Sequence, residues 1–352
     1  MKKSLKFKLT LTLAAFALAL SAAGYGLSKN ANAQQEKYMV NIGCTTPAGE
    51  EHPIGWGLVL FGEEMKKRSG GRLDYNFMGG GQLGTGRKLY EAVINGVIQV
   101  CDNSTAPLEV FTSKFTPLTL PYIFPSREVA YAFADSDYMK ELTKAAEEET
   151  GLKIVSWFEN GLRHVTNSKR PINKVEDMKD LKMRVMESPM FIQIMEAYGA
   201  QPVPIAYSEL FTALQQHTVD GEENPIAVII SGKLYEAQSH LSLTGHVFDL
   251  LNISVNPDFY YSLPDDLRQI FDESLAYATQ KQREKATNME NDSIAFLKER
   301  LAVIELADEE RARFKAASQP VYDWLIAQYP AEAENLKKIQ EELVKLEASL
   351  KK

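Results

Sequence analysis

From Pro264 to about Arg300 the sequence carries a helical pattern that no Pro or Gly interrupts. Pro264 suits the first position, where its missing N–H has no intrahelical partner to lose. A helix of ~35 residues extends ~50 Å at 1.5 Å per residue. The chain has 352 residues, which fits two domains or one domain with two lobes. The helix is longer than one such lobe is wide, so it has to back both.

Before that helix, short apolar runs alternate with helical spacing. Tyr38 to Cys44, Leu73 to Met78, Val97 to Cys101 and Ile154 to Phe158 read as strands. Trp56 to Arg68, Arg87 to Asn95 and Val129 to Glu149 read as helices, the first stopped by Ser69-Gly70-Gly71 and the second by Gly96. This alternation is α/β. Glu159 to Arg163 breaks the pattern, and His164 to Asn167 resumes extended character, which places a crossing between lobes. Leu243 to Phe248 and Leu251 to Asn256 read as strands that recross. The expected division is 34–160 with about 249–288 in one lobe, and 161–248 with about 289–352 in the other. Beyond the long helix the chain reads as helical, with turns near Ala307 and Pro330.

Residues 1–33 read as an export signal. Lys2, Lys3, Lys6 and Lys8 precede the apolar stretch Leu9 to Leu20, and Ala31-Asn32-Ala33 offers a small-x-small cleavage site. The apolar stretch is shorter than the ~20 residues that span a bilayer. The whole chain has 39 basic and 47 acidic residues, and residues 1–33 hold five lysines and no acid, so the processed chain has 34 basic against 47 acidic, a formal charge of −13. Nucleic acid is excluded, because it needs a basic footprint. An anionic ligand would need particular buried arginines, since the overall field repels it. Cys44 and Cys101 each end a strand in the first half, and either a disulfide or two separate buried thiols fits. The five histidines and two cysteines lack metal-ligand spacing.

Leu181 to Glu187 reads as a strand with Leu181, Met183 and Val185 on one face. Arg184 then stands near the C-terminal end of a strand, where open α/β sheets form their ligand crevice. A guanidinium there matches a carboxylate with two parallel hydrogen bonds. The alternative is a structural arginine paired to an internal Asp or Glu. Arg163 sits at the lobe crossing. Asp102 to Thr105 end a strand and are candidate cleft residues or helix caps, as are Thr45 and Thr46 after the first strand. Tyr207 precedes Ser208, an N-cap candidate for a helix over 209–216. Val219 to Pro225 contains three acids, but not calcium-loop spacing; it reads as a turn-and-cap cluster, with Asn224 held extended by Pro225. Gly79-Gly80-Gly81 lacks the Gly-Lys-Ser/Thr ending of a phosphate loop. His164 has no nucleophile or carboxylate at catalytic spacing, and no nucleophile–base–orienter set can be named, so the chain is not expected to be an enzyme.

Several stretches together resemble one family. They are Gly81-Gln82-Leu83-Gly84 with Arg87; Leu120-Pro121-Tyr122; Glu159 to Arg163 with Thr166 to Ile172; Asp180 to Val185; Gly199 to Pro202; and Ser208-Glu209-Leu210 through Val219 to Pro225. In order and spacing the chain resembles the DctP-type solute-binding proteins of TRAP (tripartite ATP-independent periplasmic) transporters. The resemblance implies a two-lobe periplasmic-binding-protein fold with a hinge and a long helix across both lobes. It implies that Arg184 pairs with a ligand carboxylate, that Arg163 and Asn224 fix its geometry, and that Tyr207 stacks on the ligand. The substrate-selecting positions of the first lobe fall on Thr45, Thr46, Asn103, Ser104 and Thr105. A periplasmic protein with no cofactor is implied, taking a small organic acid anion (a C4-dicarboxylate, uronate or similar carboxylate) to the TRAP membrane permease subunits. A monomer is expected, although Tyr329 to Lys352 could pair helices or merely pack. A sensor of the same fold serving a signalling receptor is the alternative.

Overall fold

The computed structural model describes residues 36–351. The export signal expected over residues 1–33, with its cleavage site near Ala33, lies outside the described residues. The described strands are β1 (Tyr38–Gly43), β2 (Leu73–Met78), β3 (Val100–Ser104), β4 (Lys153–Asn167), β5 (Lys182–Val185), β6 (Gln201–Pro204), β7 (Gly221–Pro225), β8 (His240–Val255) and β9 (Ala302–Glu305). They form one mixed sheet in the order β2–β1–β3–β8–β4–β7–β5–β6, with β9 also on β8.

Two long antiparallel strands join the halves of this sheet. β4 and β8 pair from Lys153 opposite Val255 to Asn167 opposite His240. β3 lies along Leu251 to Val255 of β8, and β1 runs parallel to β3. At the other end, β7 lies along Arg163 to Asn167 of β4, β5 and β6 follow, and β9 lies along His240 to Leu243. The halves divide near Glu159 to Arg163, where the sequence suggests a crossing.

That crossing is not a break in the strand. β4 continues through it, with register shifts between Glu159 and Gly161 and between Arg163 and Val165. A bulge absorbs an extra residue and bends the strand without ending it. Gly161 has φ +114°, a conformation open to glycine. The two strands expected over 243–256 are likewise one: β8 bends around Gly245, at φ +54°, where the partner of β4 skips from Val247 to Ser242.

The expected long helix is present as Asp265–Lys298. Leu267, Phe271, Leu275 and Ala278 line its buried face, and the Phe271 ring meets Phe61 edge-on at 4.9 Å. It packs on the Pro53–Arg68 helix of the first half, on β4, and on the Ile226–Ser231 helix and β9 of the second. Gln282, fully buried, anchors it at the crossing: its Oε1 accepts from the Glu159 N–H at 2.9 Å and its Nε2 donates to the Glu159 carbonyl at 2.8 Å.

Other expectations need correction. The acidic run is not a turn: Gly221–Pro225 is the interior strand β7, with all five residues buried. Val129 to Glu149 is two helices, Arg127–Ala134 and Asp137–Thr150, because Ser126 and Ser136 each cap a new start by accepting from Val129 and Met139 N–H groups. Ser208 is not a cap; the helix already begins at Tyr207. The end of the chain does not stay with the second half. The Gln319–Gln328 helix packs on the Pro189–Ala197 helix, but Glu332–Leu350 packs on Arg127–Ala134 in the first half, with Asn335 donating to the Lys114 carbonyl at 2.9 Å. Cys44 and Cys101 are buried free thiols, which answers the open question of a disulfide.

β7 has no room for a side chain at its first residue. A Cβ on Gly221 would stand 2.1 Å from the Thr166 carbonyl oxygen of β4. Gly221→Ala should therefore cost about 1–3 kcal/mol or more, read as a lower urea midpoint with unchanged slope. An unchanged midpoint would show that β7 does not lie against β4 in this register.

Candidate functional site

A cavity between the two sheet halves has a volume of about 200 Å³. That is below the ~300–1,000 Å³ of pockets for drug-sized ligands, and suits a small solute. Thr45 and Thr46 after β1, Asn103 and Ser104 of β3, and Leu251 of β8 contribute from the first half. Arg184 of β5, Asn224 of β7, and Met186, Tyr207 and Val228 contribute from the second. Asn160 and Arg163 enter from the bulged crossing of β4.

Arg163 and Arg184 are both 1% exposed, and their surroundings differ. Arg163 Nε donates to Glu223 Oε2 at 2.6 Å and Nη1 to Asp249 Oδ2 at 2.8 Å. Its Nη2 donates to Glu223 Oε1 at 2.8 Å, to the Glu223 carbonyl at 2.7 Å and to Asn224 Oδ1 at 3.0 Å. Burial works against its charge, but Glu223 and Asp249 outweigh burial and hold the proton more firmly than usual. Arg184 donates from Nε to the Ile205 carbonyl at 2.8 Å. Among the described residues its Nη1 and Nη2 make no hydrogen bond, and no Asp or Glu oxygen lies within ion-pair distance. Burial lowers its pKa to about 10, with Glu223 and Glu222 offsetting part of the shift and Arg163 adding to it.

β7 places acids and an amide between these cations. Glu223 is drawn below its ordinary value: burial raises it, but Arg163 and His246 prevail. Glu222, opposite Arg184 in the β5–β7 register, has neutral hydrogen-bond partners. It accepts from Thr166 Oγ1 at 2.6 Å and from Asn224 Nδ2 at 2.5 Å. Burial, reinforced by the charge of Glu223 and opposed by those hydrogen bonds, pushes it up to about 7. The Asn224 amide is thus fixed at both ends, by Glu222 and by Arg163. His164 is 5% exposed, accepts from the Gly245 N–H at 3.0 Å, and is pushed down to about 3, chiefly by burial, with Arg311 adding to it. It is held as a neutral acceptor.

Of the other residues singled out in the sequence, Tyr207 and Asn103 line the cavity. Asn103 donates from Nδ2 to the Gly86 carbonyl at 2.7 Å. Thr105 does not line it: its hydroxyl donates to the Leu250 carbonyl at 2.7 Å, inside the protein. Sequence reasoning missed Asp249 and Asn160. Asn160 Nδ2 donates to Asp249 Oδ2 at 2.7 Å. An Asp inside the apolar run Val247 to Ile253 was the available signal, since a buried acid needs a partner. Glu109 ties the halves together at one edge of the cleft, accepting from Ser188 Oγ at 2.6 Å and from the Met190 N–H at 3.3 Å. Among the described residues no cluster of side chains could hold a metal, and no helix is long and apolar enough to cross a membrane.

A family model described as bacterial extracellular solute-binding protein, family 7 (DctP), matches residues 45–328. A curated solute-binding protein of Verminephrobacter eiseniae is 36% identical over 268 residues, 76% of this chain and 79% of its own. A TRAP periplasmic solute-binding protein of Polaromonas sp. JS666, solved with D-erythronate, superposes with TM-score 0.81 at 34% identity over 86% of this chain and 98% of that one. The sugar-acid-binding protein DctPAm of Advenella mimigardefordensis, solved with galactonate, superposes with TM-score 0.84 at 28% identity over 88% and 99%.

The raised value of Glu222 has a consequence for stability. A carboxyl at about 7 in the fold and about 4.5 in the open chain keeps its proton better when folded. Its contribution is full below about 4.5 and is lost as pH rises through about 7. Glu222→Gln stays neutral and can keep both hydrogen bonds. Its stability relative to the natural chain should rise between pH 5 and pH 8, by up to about 3 kcal/mol, in denaturant unfolding at each pH. A pH-independent difference would mean that Glu222 is ionised throughout.

Proposed function

The chain belongs to the DctP family, the bacterial extracellular solute-binding proteins of family 7, and we propose that it captures a small organic acid anion through Arg184 and delivers it to TRAP membrane permease subunits. The observation that carries this reading is the guanidinium of Arg184, buried at the cavity with both Nη groups unpartnered among the described residues. Such a group is complemented by a carboxylate accepting two parallel N–H bonds. Arg163 lines the same cavity with its charge already balanced by Glu223 and Asp249, so it acts as a fixed frame that has one Nη1 N–H left to offer. Asn224, immobilised by its two bonds, presents its amide beside it, and Tyr207 covers the ligand from the second half. Galactonate and D-erythronate, bound by the two solved relatives, are acids of the expected kind.

The lobes, 34–160 with about 249–288 and 161–248 with about 289–331, close about the bulges of β4 and β8. The last helix returns to the first lobe. Closure removes water from the cleft and strengthens the arginine–carboxylate pair. Ligand affinity draws the open–closed equilibrium toward the closed form, which the permease subunits read. The protein is a periplasmic monomer, exported by residues 1–33, with no catalytic role.

Arg184→Met separates function from stability. The empty protein should be at least as stable as the natural chain, because a buried charge without an ion-pair partner has been removed. Binding should fall by about 30-fold or more in calorimetry with D-erythronate, D-galactonate, D-glucuronate or succinate, whichever binds the natural chain. Retained affinity would remove Arg184 from this role.

A further inference from the structure

We propose that the ligand of this cavity carries a single carboxylate, and that the site rejects C4-dicarboxylates; this rests on the carboxylate reading of Arg184. The cations around the cavity decide it. Three arginines line the space, and among the described lining residues there is no Lys or His. Arg184 has a free fork. Arg163 has two carboxylates, Glu223 and Asp249, on its guanidinium, so it adds an N–H donor but no uncompensated charge. Arg87 is exposed at the mouth, its Nε on Glu91 at 2.7 Å, and the exposed acid Glu187 lines the same mouth. One carboxylate can therefore be neutralised by a buried cation in the cleft; a second has only the solvated Arg87, shared with Glu91 at the mouth, and no buried counter-ion.

The rest of the wall reinforces this. Ile54, Pro107, Val110 and Leu251 face the cavity from the first half, and Met186 and Val228 from the second. The polar groups at hand favour hydroxyls over a second anion. Ser104 Oγ already donates to the carboxylate of Asp249 at 3.0 Å, which keeps a negative charge behind that part of the wall. The Thr85 hydroxyl and Asn103 Oδ1, both on lining residues, have no hydrogen-bond partner among the described residues and can meet a ligand hydroxyl. A second carboxylate enclosed here would lose its water and gain neutral donors such as the Thr85 hydroxyl but no buried counter-ion, a cost of several kcal/mol for a buried unpaired ion.

The test is calorimetry on the processed chain, freed of any co-purified ligand, with two sets of acids at the same pH. D-Erythronate, D-galactonate, D-glucuronate and pantoate carry one carboxylate; succinate and L-malate carry two. Monomethyl succinate is the matched control, since it removes one charge at similar length. At least one single-carboxylate acid should bind roughly a hundredfold or more tightly than either dicarboxylate, and monomethyl succinate should bind more tightly than succinate. Succinate or malate binding as tightly as every single-carboxylate acid would overturn the proposal and leave the role of Arg184 standing. Binding by neither set would overturn the carboxylate reading itself, and this proposal with it.

Discussion

Two arginines are buried in one wall, and only one of them is neutralised. Arg163 joins β4 to Glu223 of β7 and Asp249 of β8, so three strands from the crossing share one guanidinium. That network makes the wall rigid and locks Asn224 in place through its Oδ1. Arg184, one strand away, has its Nε on the Ile205 carbonyl and the remainder of its fork at the cavity. A buried charge left in that state is destabilising, and an anion arriving from outside would compensate it. On the proposed function, the ligand completes an ion pair that the chain itself leaves half made.

Glu222 allows the two cations and two carboxylates to stand so close. Its bonds come from the neutral groups Thr166 and Asn224, and its pKa near 7 leaves it partly protonated under neutral conditions. A fully ionised Glu222 would offer Arg184 an internal partner and compete with any ligand. If Arg184 takes the anion as proposed, anion capture and proton occupancy at Glu222 would be linked, because the Arg184 charge also acts on Glu222. The long strands serve the same end: bulged at Gly161 and bent at Gly245, they carry the sheet through the crossing without separating its halves.

Much of this was legible in the sequence. The uninterrupted run after Pro264 implied one helix across both halves, and Asp265–Lys298 is that helix. The alternation around Arg184 put it on a strand, as β5 shows. What escaped the reading has a common cause. Strands whose interior carries polar side chains do not look buried: Gly221 to Pro225 reads as a turn because two glutamates and an asparagine occupy it, and their partners lie on β4 and β8, far away in sequence. The continuity of β4 was hidden by Gly161, which signals a break locally but makes a bulge when β8 is alongside. Thr105 follows directly on β3, where a cleft residue could stand, yet its hydroxyl is taken by Leu250, a neighbour the sequence does not reveal.

The most direct measurement is a crystal structure of the protein with its bound acid. The ligand carboxylate should lie within about 3 Å of Nη1 and Nη2 of Arg184, with Arg163 still on Glu223 and Asp249. A carboxylate held elsewhere, with Arg184 turned onto Glu222 or Glu223, would contradict the central claim that this guanidinium is kept vacant for the ligand.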